Sequence, residues 1–83
     1  MHWYVYILEC ADQTLYTGVT NDLKRRIAEH NAKDSKTKYT RVRQPVRLVY
    51  SENTTDKNSA LKREYELKKF SRAEKQQLIS SAH

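Results

Sequence analysis

The chain has 83 residues, 37% of them hydrophobic, with a formal net charge of +6 and a pI near 9.6. That length is too short for two independent cores, so one domain spanning 1–83 is expected, and the basic balance favours a polyanionic partner, nucleic acid first. A single cysteine, Cys10, excludes an intramolecular disulfide. His2, His30 and His83 are too scattered for a zinc-ligand pattern, there is no basic leader, and no segment is long and apolar enough to span a bilayer, so a soluble, cytoplasmic protein with no membrane partner is the expectation.

Residues 3–10, WYVYILEC, are β-branched and aromatic with little polar alternation, the pattern of a strand covered on both faces. The turn ADQT leads into LYTGV, so the two runs read as a β-hairpin with Asp12 in the turn. Strand parity sets a condition on it. Tyr6 and Tyr16 share a face only if paired residues have an even index sum, which needs an odd connection such as Ala11-Asp12-Gln13, or a bulge. Gly18, the only glycine, would then leave room on that face for a phosphate to approach the strand.

Thr20 or Asn21 is expected to cap a helix over about 22–30, with Asp22 favourably placed in its first turn. Residues 31–44, NAKDSKTKYTRVRQ, are polar, basic and aperiodic, which reads as a long loop with room for one helical turn. Between Lys24 and Arg47 stand nine Lys/Arg against two acids, Glu29 and Asp34. This concentration of charge is either a solubilising surface or a phosphate-binding one. Pro45 is placed to start a third strand in which Val46, Leu48 and Tyr50 alternate with Arg47, Val49 and Ser51. TTDKNSALKREYELKKF follows as a helix capped by Thr55 or Asp56, and Ser71 and Glu74 have capping-box spacing for a last helix. The expected fold is α+β: a three-stranded antiparallel sheet flanked by helices, in the order β-β-α-β-α-α.

Polar residues fall on faces that should be inward. Arg26 and His30 share a side with the apolar stripe Leu23 and Ile27, and Glu64 falls among Ala60, Leu61 and Leu67, whereas Glu66 points outward. A carboxylate there needs a partner: a Glu64–Arg26 ion pair is the structural possibility, a bound cation the functional one. Together with Tyr6 and Tyr16, these groups are what phosphodiester hydrolysis requires. Water must lose a proton, developing charge needs a fixed cation, and the leaving oxygen needs a metal or an acid.

These residues resemble the GIY-YIG nucleases, and in detail the small stand-alone bacterial members of YhbQ type. The resemblance covers nearly the whole chain: Tyr4-Val5-Tyr6 for the first signature, Tyr16-Thr17-Gly18 for the second, NDLKRRIAEH for the helix with its Arg and His, and ALKREYELKK for the glutamate helix, alongside KYTRVRQPVRLVY. It implies a metal-dependent endonuclease acting on nucleic acid, DNA first, in repair or in processing of branched or damaged DNA. Glu64 would be the ligand of one Mg²⁺ or Mn²⁺ ion, Arg26 the phosphate clamp, and Tyr6, Tyr16 and His30 would surround the attacking water, with the general base left open. Lys36, Lys38, Arg41, Arg43 and Lys68, with Lys62 and Lys69, would meet the nucleic-acid backbone. The chain departs from the family pattern where Tyr4 replaces the first signature's glycine and Val5 its isoleucine, where Val19 stands in place of a lysine, and in carrying no appended DNA-binding domain. A non-catalytic nucleic-acid-binding module and a subunit active only with a protein partner are the alternative readings.

Overall fold

The apolar N-terminal run needs cover on both sides and finds it in the middle of a sheet. In the computed structural model, which describes residues 2–81 and so leaves His83 outside, β1 (Trp3–Glu9) lies between β2 (Leu15–Thr20) and β3 (Arg47–Thr54), antiparallel to both. Val5, Tyr6, Ile7 and Leu8 are all at most 1% exposed. The helices are α1 (Leu23–His30), the single turn α2 (Lys38–Arg41), α3 (Lys57–Lys68) and α4 (Arg72–Ser81). The expected element order holds, with α2 the one helical turn in the 31–44 loop.

The hairpin connection is the odd one. Cys10 N–H donates to Thr14 O and Gln13 N–H to Cys10 O, both at 2.9 Å, enclosing Ala11-Asp12-Gln13. Gln13 takes the left-handed conformation (φ 68°), which costs a non-glycine residue about 1–2 kcal/mol. Asp12 offsets this, its Oδ1 accepting from Thr14 N (3.1 Å) and Thr14 Oγ1 (2.6 Å). The resulting register sets Tyr6 opposite Gly18 and Leu8 opposite Tyr16, so both tyrosines lie on one face.

That face packs on α1: Tyr6, Leu8, Cys10 and Val46 form a cluster closed by Tyr16, Leu23 and Ile27. The other face carries Val5 with Ala60 and Leu67, closed by Trp3, Val19, Phe70 and Leu78 from β1, β2, α3 and α4 and the segment between those helices. Arg63 of α3 makes a bidentate pair with Glu52 of β3 (2.8 and 3.0 Å), tying that helix to the far edge of the sheet.

Three local expectations need correction. Asp22, not Thr20 or Asn21, is the N-cap of α1: its Oδ1 accepts from Arg25 N at 3.1 Å, while Thr20 Oγ1 accepts from Asp22 N. β3 starts at Arg47 rather than Pro45, because Val46 is held from outside the sheet by both ends of the Asn31 amide (2.8 and 3.0 Å). Its simple alternation also fails, since Ile7 pairs with Tyr50 but Leu8 with Leu48, a bulge that leaves Val49 unpaired and Leu48 38% exposed. In the later helices Asp56 caps α3 through Ser59 N (2.7 Å), and Ser71 and Glu74 exchange both capping-box bonds (2.9 and 3.2 Å).

Candidate active site

β2 is an edge strand, and α1 and α3 cover opposite faces of the sheet beside it. Over that edge, between residues of the two helices, there is a cleft of about 330 Å³. Tyr6, Tyr16, Gly18 and Arg26 line it from the α1 side, and Glu64, Leu61 and Lys57 line it from α3. Four of the five residues singled out from sequence thus share one cavity. The fifth, His30, does not reach it but lies behind Tyr6.

His30 is fully buried, and both its nitrogens are engaged: Nε2 lies 2.9 Å from the Tyr6 hydroxyl and Nδ1 2.8 Å from Thr40 Oγ1. Burial disfavours the imidazolium, and the nearby Arg26 charge disfavours it further, so its pKa falls to about 4. The ring is therefore neutral at physiological pH. Its edge also faces Tyr16, with ring centroids 5.1 Å apart.

Tyr6 is 1% exposed, and burial raises its hydroxyl pKa despite the opposing guanidinium of Arg26 beside it. Gly18 has a different use from the one expected. A Cβ at this position would fall on the Tyr6 ring, 2.5 Å from Cζ and 3.0 Å from Cε2, so the glycine leaves space for the tyrosine rather than for a phosphate. The missing side chain lets the Tyr6 phenol cross to the sheet edge, where the cleft opens.

Arg26 donates to Glu29 Oε1 (3.0 Å) and Thr37 Oγ1 (3.4 Å). Burial works against its charge, but the bond to the Glu29 carboxylate and the nearby Tyr6 oxygen outweigh that, so its pKa is raised and the guanidinium stays charged. Among the described residues Glu64 pairs with Lys68 (3.5 Å), and the Glu64–Arg26 ion pair is not formed. Glu64 is one-fifth exposed, at the margin of the inner stripe; Ala60 and Leu67 are buried, while Leu61, expected inside, is 43% exposed and belongs to the cleft wall.

No cluster of three or more His, Cys, Asp or Glu occurs among the described residues. A divalent ion here would have Glu64 as its one protein carboxylate, with water and a substrate phosphate completing the shell. This suits a hard ion such as Mg²⁺, which gives up water reluctantly.

Of the basic residues, Lys36, Lys38 and Arg41 are exposed. Lys36 lines a second cavity of about 280 Å³ that adjoins the cleft through Arg26. Arg43 is otherwise occupied: it bonds Asp12 (3.0 Å) and Tyr39 O (2.9 Å), stacks over the Tyr39 ring at 4.0 Å, and so pins the loop to the hairpin turn. Lys68 is engaged by Glu64. Sequence reading missed Thr37, Thr40, Glu29 and Lys57. Only Lys57 carried a signal, since positions 57, 61, 64 and 68 share one helix face.

Residues 2–77 match the GIY-YIG catalytic domain. The chain therefore belongs to the GIY-YIG family, one of nuclease-type hydrolases whose partner is nucleic acid. Within that class it is similar to UPF0213 proteins. One from Halobacterium salinarum is 53% identical over 79 residues, covering 95% of this chain and all of the relative, and one from Staphylococcus saprophyticus is 52% identical over 77 residues, covering 93% of each. The solution structure of a UPF0213 protein from Bacillus halodurans, 50% identical, superposes with a TM-score of 0.61 over 96% of this chain and 84% of that one. No helix among the described residues is long and apolar enough to cross a membrane.

Proposed function

We propose that the protein is a metal-dependent endonuclease that hydrolyses phosphodiester bonds, with DNA the favoured substrate. The observation that carries this reading is the cleft over β2, where a carboxylate, a guanidinium and two phenols converge from both faces of the sheet. Arg26, kept charged and fixed by Glu29 and Thr37, is placed to stabilise charge developing on the phosphate. Tyr6 is the group placed to take a proton from water: it lines the cleft, and its own proton has an acceptor in His30 Nε2. As the attacking water gives a proton to the Tyr6 oxygen, the Tyr6 proton passes to His30, leaving hydroxide to attack, a neutral tyrosine and an imidazolium. Tyr16 packs against the His30 ring and shapes the same wall. Glu64 would hold the Mg²⁺ or Mn²⁺ ion, whose contribution when bound is to neutralise the phosphate and stabilise the leaving oxygen. Lys36, Lys38 and Arg41, on the loop that also carries Thr37, would hold the backbone without reading bases. The cellular setting that fits is cytoplasmic DNA repair or the processing of branched or damaged DNA.

The Glu64–Lys68 pair favours a second reading, because it gives the carboxylate a partner without any metal. In that case the chain is a nucleic-acid-binding module, or a subunit switched on by a protein partner. Nicking of duplex, branched and single-stranded DNA with and without Mg²⁺ or Mn²⁺, with Glu64→Ala as control, separates these. Metal-dependent cleavage lost in the variant supports the nuclease; binding without cleavage supports the module. Activity that appears only when a co-purifying protein is added supports the partner-dependent subunit.

A further inference from the structure

The His30 ring is bonded on both sides to hydroxyls, which can each donate or accept, so the geometry of the ring alone does not decide which nitrogen carries the proton. The next partner at each end does. Beyond Thr40, its Oγ1 lies 3.3 Å from the Thr37 carbonyl oxygen, which can only accept, so the single Thr40 hydrogen has an acceptor there. Its lone pair is then turned to Nδ1. Beyond Tyr6 the Arg26 guanidinium stands close enough for its charge to favour a Tyr6 oxygen turned toward it, which leaves the Tyr6 hydrogen for Nε2. Both ends favour the same polarity: Tyr6 to His30, His30 to Thr40, and Thr40 to the Thr37 carbonyl.

The opposite arrangement, with the proton on Nε2, would leave the Tyr6 hydrogen without this acceptor.

We infer that Thr40 is a positioning residue that fixes His30 as the Nδ1–H tautomer, so that Nε2 is kept open to take the Tyr6 proton. Thr40 is fully buried on the short helix α2, its hydroxyl accepting from His30 on one side and donating to the carbonyl of Thr37, the N-cap of that helix, on the other. The inference gives the 31–44 loop a task besides phosphate contact: it carries the residue that orients the proton acceptor. Its catalytic consequence rests on the nuclease reading above; the tautomer does not.

Long-range proton–nitrogen NMR of the imidazole side chains tests it, with His30 assigned by its loss in His30→Gln. In the wild-type protein His30 is expected to show a pyrrole-type Nδ1 and a pyridine-type Nε2. Thr40→Val, of nearly the same volume, removes the acceptor and should move the ring to Nε2–H; Thr40→Ser should restore the wild-type pattern. In the cleavage assay, Thr40→Val should lower kcat roughly ten- to a hundredfold, within what a positioned base supplies, with KM unchanged and with recovery in Thr40→Ser. A wild-type ring protonated on Nε2, or a Thr40→Val ring that stays protonated on Nδ1, overturns the inference whatever the enzyme does. Absence of cleavage by the wild-type protein would instead count against the nuclease reading and leave the tautomer result standing.

Discussion

Gly18→Ala is the smallest change that should disable the site. The new methyl would lie against the Tyr6 hydroxyl and 2.5 Å from its Cζ, far inside contact distance, and Tyr6 cannot swing clear because its ring is 1% exposed and its hydroxyl is held by His30. Either the strands part or the ring shifts. Overpacking of this kind costs about 1–3 kcal/mol. Loss of the Tyr6–His30 bond leaves buried polar groups unpaired for about 1–3 kcal/mol more. The total, roughly 2–6 kcal/mol, is a large share of the roughly 4–12 kcal/mol available to an 83-residue domain. At about 4–8 °C per kcal/mol, Tm should drop by roughly 10 °C or more. Urea denaturation and thermal melting would measure this, and the cleavage rate should collapse even at temperatures where the variant stays folded. Tyr6→Phe in the Gly18→Ala background should rescue little, since Cζ is as crowded as the hydroxyl. A Gly18→Ala protein within about 0.5 kcal/mol of wild type, the range of ordinary surface substitutions, would show that the glycine does not make room for Tyr6.

Acid should weaken the fold through His30. Its folded pKa is about 4 against 6.5 unfolded, so the unfolded chain takes the proton first; this contribution is intact above pH 6.5 and is lost progressively as pH falls toward 4, by about 3 kcal/mol in all. Denaturation midpoints between pH 4.5 and 7 should show that slope, and His30→Gln should flatten it; an equal slope in both proteins would put the effect elsewhere. Thr17 Oγ1 is buried without a hydrogen-bond partner, so Thr17→Val should stabilise the protein by about 1 kcal/mol in urea titrations, and destabilisation would mean the hydroxyl is satisfied. DNA affinity should fall steeply with salt, and replacing Lys36, Lys38 and Arg41 together by Ala should reduce the log–log slope by about 2–3. An unchanged slope would remove the loop from the DNA footprint.

The fold was legible where the chain's patterns are strong and local. Unbroken apolarity marked β1 as a strand covered on both faces, and strand parity set the condition, an odd connection such as Ala11-Asp12-Gln13, that the hairpin meets and that puts Tyr6 and Tyr16 on one face. The capping box at Ser71 and Glu74 needed only four residues to read. The bulge at Val49 had no such signal, because it depends on how β3 meets Leu8 across the sheet. At the site, Arg26, His30 and Glu64 stood out as polar groups on helix faces that should be apolar. Their partners did not: Arg26 takes Glu29 and Thr37, Glu64 takes Lys68, and His30 takes Tyr6 and Thr40, contacts set largely by side-chain direction and by the path of an aperiodic loop. Gly18 was recognised as spatially special, but its neighbour could be identified only once the Tyr6 ring was seen to cross it.

The central claim is that Glu64 and Arg26 act on one phosphate in the cleft over β2. Single-turnover cleavage of labelled DNA in Mg²⁺ or Mn²⁺ by wild type, Glu64→Gln and Arg26→Ala, each first shown by melting to be folded, tests it most directly. The account predicts metal-dependent cleavage by the wild-type protein and a loss of roughly a hundredfold or more in each variant. Metal-dependent cleavage that survives at the wild-type rate in Glu64→Gln would contradict it.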